Sequence, residues 1–195
     1  MKELVFLLEE ASAKAMLQSL LPRILNSDIK TRFIAFEGKQ DLEKQLARRM
    51  RGYVNPLARF IVLRDQDNAP DCKAVKTKLA GYCQLAGQTA KSLVRIACRE
   101  LEAFYLADLR AVEQGLKLQN LENQQHLGKF RDPDRLGSPS RELTLLTKGI
   151  YQKVSGSRAI GAFLDPANTR SPSFNNLILG IQRMECQLLS MQDSP

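Results

Sequence analysis

Tryptophan is absent from this chain of 195 residues, and histidine occurs once, as His126. The four cysteines, Cys72, Cys83, Cys98 and Cys186, form no C-x-x-C pair. Together these scarcities exclude a zinc site of the usual Cys/His kind. A lone histidine in a polar stretch also argues against a triad hydrolase. Cys98 ends an apolar run and Cys186 falls in a helical pattern, so both are expected to be buried free thiols. There is no Walker loop, no internal repeat and no low-complexity tract. No apolar run approaches the length of a membrane span, and the run at Leu4–Leu8 is too short for a signal sequence. The expectation is a cytoplasmic protein without a membrane.

What is present is ordinary for one globular domain: 44% apolar residues and 26% charged, enough to build a core. The exception is the charge. A net +8 and a pI near 9.5 favour encounters with polyanions, nucleic acid above all, and say nothing about fold.

Along the chain, short apolar runs alternate with helical spacing. Runs at 4–8, 32–36, 59–65 and 92–98 read as strands. Between them lie helical patterns from Ser12, taken as an N-cap, to about Ile24, then at 41–51 and at 72–84. This β-α-β-α-β-α-β order predicts an open, mainly parallel four-stranded α/β sheet flanked by helices. Right-handed crossovers then gather the carboxyl ends of the strands on one rim, where such folds place ligands. A helix is expected at 101–116, a polar surface loop with one short helix at 119–140, and helices at 141–154, 158–164 and 174–189. The division is an α/β core over residues 1–115 and a helical extension, residues 116–195, packed on it.

Three of the four strands end in acid. Glu9 follows the first, Asp65 and Asp67 the third, and Glu100 and Glu102 the fourth. Carboxylates that converge repel one another and raise each other's pKa unless a cation sits among them. Magnesium or manganese is the natural partner for an all-oxygen donor set. Each acid also has a purely structural reading. Asp65 and Asp67 can open a turn, Glu9 or Glu10 can favour the positive end of a helix, and Glu102 can pair with Arg99 or Arg110.

The pieces Leu8-Glu9-Glu10-Ala11-Ser12-Ala13 and Arg64-Asp65-Gln66-Asp67 resemble the Toprim catalytic fold, which pairs a glutamate after its first strand with an Asp-x-Asp motif after its third. With Arg99-Glu100-Leu101-Glu102-Ala103-Phe104, Lys153-Val154-Ser155-Gly156-Ser157-Arg158 and Arg170-Ser171-Pro172-Ser173-Phe174, the chain more narrowly resembles the bacterial Toprim-like family catalogued as domain of unknown function 4276. The resemblance implies a magnesium-binding site for phosphoryl transfer. In it Glu9 acts as general acid/base or metal ligand, and Asp65 and Asp67 are metal ligands. Two features depart from the wider pattern. Glu10 stands where Toprim proteins often have glycine, and the turn Ala13-Lys14-Ala15 lacks the further acid of overcoming-lysogenization nucleases. Glu100 is therefore a candidate for a further metal ligand and Glu102 for a catalytic role. Lys153, Ser155 and Arg158, with Arg64, Arg170 and Ser173, are candidates for holding phosphate or nucleic acid, although Ser155 and Ser157 read equally as N-caps.

Two functions follow from this reading. One is a magnesium- or manganese-dependent nuclease. The other, which the resemblance implies because relatives of the fold often act with an ATPase and sometimes in defence against phage or other mobile DNA, is a non-catalytic nucleic-acid-binding or regulatory subunit working beside an ATPase. A small-molecule phosphohydrolase is a third, weaker reading.

Overall fold

The computed structural model describes residues 1–191. Four strands, β1 (Glu3–Leu8), β2 (Lys30–Ala35), β3 (Ala58–Asp65) and β4 (Ser92–Ala97), form one sheet in the order β2-β1-β3-β4. Every pairing is parallel, with Leu8 opposite Ala35 and Leu63, and Asp65 opposite Ala97. β1 is buried along its whole length because it has a strand on each side and a layer on each face. That is why Leu4–Leu8 reads as an unbroken apolar run. The edge strand β2 instead leaves Lys30, Arg32 and Ala35 exposed.

Strand alternation divides the core in two. On one face Val5, Leu7, Phe60 and Val62 pack against α2 (Lys39–Arg51) and α3 (Cys72–Leu85) through Leu42, Leu46, Met50, Val75 and Leu79. On the other, Leu4, Phe6, Leu8, Ile61 and Leu63 meet α1 (Ala11–Leu20) and the helices of the second half. Those are α4 (Glu102–Leu106), α5 (Leu109–Leu116), α6 (Pro139–Leu146), α7 (Lys153–Gly161) and α8 (Pro172–Leu189). Leu93 and Arg95 of β4 lie so close to α8 that a Cβ at Gly180 would meet them at 2.8 Å.

Several boundaries differ from the sequence reading, each for a local reason. Ser12 is not the N-cap of α1. Glu10 holds that position, and Ser12 lies inside the helix with its hydroxyl donating to Glu10 Oε1 at 2.9 Å. The helix expected at 101–116 breaks at Asp108, whose carboxylate accepts from the Ala111 N–H and starts α5. The pattern at 141–154 stops at Leu146, because Lys148 and Gly149 take left-handed backbone angles (φ 51° and 80°) that end a helix. α7 then starts at Lys153, five residues earlier than expected. The 119–140 stretch is a series of three short 3₁₀ turns anchored by buried Leu121, Phe130 and Pro133. Of the thiols, Cys83 is the buried one. Cys186 is exposed, since it falls outside the α8 stripe formed by Leu177, Ile181, Met184 and Leu188.

Candidate functional site

Beyond the last residue of each inner strand the chain stays bonded to its neighbour, and this holds the rim in place. The Glu9 N–H donates to Leu63 O at 3.2 Å, Gln66 N–H to Ala97 O at 2.9 Å and Asp67 N–H to Arg99 O at 2.8 Å. Glu9 is therefore held beside the end of β3. Its Oε2 accepts the Asp65 N–H at 3.1 Å, and the Arg64 Nε lies 3.7 Å from the same oxygen. Two acids 56 residues apart in the chain thus meet across adjacent parallel strands.

Their electrostatics follow from that meeting. Burial is the main cause that raises the Asp65 pKa well above the ordinary carboxylate value, and the Glu9, Glu102 and Glu10 carboxylates add to it against a hydrogen bond from the Leu101 N–H. Glu9 is also raised, first by burial and then by Asp67, while the Asp65 N–H and Arg64 oppose the shift. Glu102 lies at the start of α4, only 1% exposed. Burial raises it too, against the Tyr151 hydroxyl that donates to its Oε1 at 2.9 Å. A cation from the second half joins the cluster: Lys153, first residue of α7, whose Nζ lies 2.7 Å from Glu10 Oε2. Burial works against its charge, but Glu10, Glu102 and Asp65 together raise its pKa.

The other candidate residues are placed as follows. Asp67 has a left-handed backbone (φ 54°), and its Oδ2 is held by Lys39 Nζ at 3.1 Å. Glu100 Oε2 accepts the Ser140 N–H at 2.7 Å, which ties the end of β4 to the start of α6. Arg64 is buried on the α2 side of the sheet, with Nη1 on Glu43 Oε1 at 2.6 Å, and Glu43 also takes Lys78 at 2.7 Å. Ser155 and Arg158 lie on exposed turns of α7, which has no side-chain cap. Ser157 is buried and donates to Lys153 O, so neither serine caps the helix. Ser173 is a buried joint, with its N–H on Asp134 Oδ2 at 2.8 Å and its hydroxyl accepting the Cys98 N–H at 3.2 Å. Arg170 sits elsewhere, with Nη1 donating to Ala107 O at 3.4 Å.

Sequence reasoning missed Lys39, Glu43 and Tyr151. Lys39 was reachable, because it follows the turn after β2 and the rim rule applies to that strand end as to the others. Tyr151 carries no local signal, since its partner is 49 residues away.

The candidate donors Glu9, Asp65 and Asp67 are all carboxylates; Asp67 disfavours the charge of Glu9, and Glu9 that of Asp65. That chemistry fits a hard divalent cation. Among the described residues, no three His, Cys, Asp or Glu side chains are grouped closely enough to hold a metal ion as they stand. Lys39, Arg64 and Lys153 are the cations that hold Asp67, Glu9 and Glu10.

No curated protein matches the chain. Among solved structures it resembles the C-terminal region of the Burkholderia pseudomallei OLD protein, with a TM-score of 0.57 at 13% identity over 95% of this chain and 98% of that one. It also resembles the C-terminal region of the Xanthomonas campestris pv. campestris OLD protein, with a TM-score of 0.52 at 12% identity over 95% of each. The fold is Toprim-like: a parallel open sheet of four strands between layers of helices. The family model described as Domain of unknown function (DUF4276) matches residues 8–182, and the chain belongs to that family.

Proposed function

We propose that this protein is a divalent-metal-dependent nuclease of Toprim type that hydrolyses phosphodiesters of nucleic acid. The observation that carries the reading is the meeting of Glu9 and Asp65 at the ends of two adjacent parallel strands, with Glu9 Oε2 on the Asp65 N–H at 3.1 Å. Glu9 and Asp65 are the residues that would hold magnesium or manganese, joined by Asp67 when Lys39 releases it. Such an ion supplies Lewis-acid polarisation of the phosphodiester when bound. The chain's own groups do the rest. The Asp65 N–H and Arg64 orient the Glu9 carboxylate. The Tyr151 hydroxyl holds Glu102, and burial keeps that carboxyl protonated to a higher pH than an ordinary glutamate. Lys153 places a positive charge beside Glu10, where it can meet an approaching phosphate.

The test is cleavage of DNA and RNA by purified protein with magnesium or manganese. The metal contribution is worth several kcal/mol, so Asp65→Ala should lower the rate by about a hundredfold or more. Cleavage that survives the substitution would sink the assignment.

A second reading has its own support. The rim carboxylates are held by lysines and arginine, as in a site that need not turn over. In both OLD neighbours this fold is the C-terminal region of a protein. On this reading the chain is a nucleic-acid-binding or regulatory subunit beside an ATPase partner, in defence against mobile DNA. Absence of cleavage on every substrate, with metal binding retained, selects it.

A further inference from the structure

We propose that a second site, an arginine-lined cleft at the far end of α1 and α7, grips the phosphodiester backbone of nucleic acid away from the acidic rim. The proposal takes its ligand from the nuclease reading, but its test does not depend on cleavage. α1 and α7 both start at the rim, where Glu10 and Lys153 pair, and both end at an open cleft of about 1510 Å³. The nine residues of α7 span about 13 Å at 1.5 Å per residue.

Four arginines line this cleft: Arg23, Arg110, Arg131 and Arg170. Arg23 follows α1, and its Nη1 donates to Ala162 O at 2.8 Å and Leu164 O at 2.9 Å, just beyond α7. Arg170 is steadied by one Nη1 bond to Ala107 O. A guanidinium has five N–H donors, so these backbone contacts position the two heads and leave most donors free. Arg110 and Arg131 are exposed, and neither has an ion-pair or side-chain hydrogen-bond partner among the described residues.

Three acids line the cleft beside the four arginines, and two of them are turned to backbone N–H groups. Asp108 is committed to the Ala111 and Asp165 N–H groups at 3.1 and 2.9 Å, and Asp165 to the Ala167 N–H at 2.9 Å. Glu122 alone stands exposed without such a side-chain bond. Among the described residues no lysine lines the cleft, so its formal positive charge is guanidinium, which matches phosphate oxygens in pairs. Successive phosphates of one strand are about 3.4 Å apart along a duplex axis, so 13 Å corresponds to about four of them. A strand lying over the rim would therefore present a phosphate to the cleft a few nucleotides on.

The test is fluorescence anisotropy with a 24-base-pair DNA duplex and the same-length single strand, in EDTA, over a salt series. Arg110→Ser/Arg131→Ser should weaken duplex binding tenfold or more at about 0.1 M salt and flatten the slope of log K against log salt by about 1.8. The control is Arg48→Ser/Arg49→Ser, an equal charge loss on exposed positions of α2, which should change the slope by less than half as much. An unchanged slope in the cleft variant overturns the proposal, as does an equal loss in both variants. So does complete displacement of the duplex by ATP at millimolar concentration, which would mark a small-anion site. If binding falls as expected and no substrate is ever cut, the cleft stands and the nuclease reading falls alone.

Discussion

Asp65 is the last residue of β3, with Glu9, Glu10 and Glu102 around it, and its folded-state pKa is raised above the unfolded value. Between those two values the folded protein binds more protons than the unfolded chain, so this residue's contribution to stability falls as pH rises. Asp65→Asn removes the charge and keeps an oxygen to accept from the Leu101 N–H. The variant should therefore be more stable than the parent at pH 8, with the gap closing as pH falls through the raised pKa. Urea midpoints at pH 8 and pH 5 check this, and a variant less stable at pH 8 would contradict it. The same substitution should lose metal binding, so here stability and function oppose each other. Lys39 makes the complementary case. Its pair with Asp67 is half exposed, with side-chain exposures of 50% and 31%, and such pairs are worth about 0.2–1 kcal/mol. A metal that recruits Asp67 must displace this lysine. Lys39→Met should thus tighten manganese binding about two- to fivefold, read by electron paramagnetic resonance titration. Weaker binding would make Lys39 a supporting residue and not a competitor.

At the scale of elements, the site depends on how closely α7 lies against α1. A Cβ at Gly161 would fall 2.6 Å from Met16 O and 3.0 Å from Met16 Cα, both backbone atoms that cannot swing aside. Gly161→Ala must push the helices apart, at a cost of about 1–3 kcal/mol. Gly81 in α3 is the contrast, because nothing lies within 4 Å of a Cβ there. Gly81→Ala should stabilise by about 0.5–1 kcal/mol through helix propensity. Chemical denaturation of both variants tests the pair, and equal effects would mean that the α1–α7 contact has slack. This contact also shows where the sequence was readable. The strands were legible because β1 and β3 are buried on both faces, and Glu9 and Asp65 were legible because they follow those runs directly. The α7 boundary was not. Gly156 sits in sequence among the phosphate candidates Lys153, Ser155 and Arg158, but here it accommodates the Tyr151 ring, 2.5 Å from where a Cβ would be. Lys39–Asp67 and Arg64–Glu43 were hidden because they join elements 28 and 21 residues apart, a pairing that no periodicity records.

For the whole molecule, the question is whether the first 115 residues stand alone. They contain all four strands, the two helices of one face, and the rim carboxylates Glu9, Glu10, Asp65, Asp67, Glu100 and Glu102. The other face is a different matter. Leu4, Phe6, Leu8, Ile61 and Leu63 share one cluster with Phe174, Leu177, Ile178, Ile181, Met184 and Leu188 of α8. α8 also fixes the edge strand, since Arg95 Nε donates to Asn176 O at 2.7 Å. Six large apolar side chains at about 1.5–3 kcal/mol each are on the scale of the whole net stability of a domain, about 5–15 kcal/mol. Removing them would also strip cover from the face of β3 and β4. Residues 1–115 expressed alone should therefore show no cooperative urea transition and should aggregate, while the full chain unfolds in one step. Lys153, which neutralises Glu10, would be lost with them, leaving the rim acids to repel one another without their nearest cation. A cooperative transition in the truncated protein would restore the division at residue 115 and make the helical half an appendage. It would also free the acidic rim to be tested without α7, which an intact two-layer core forbids.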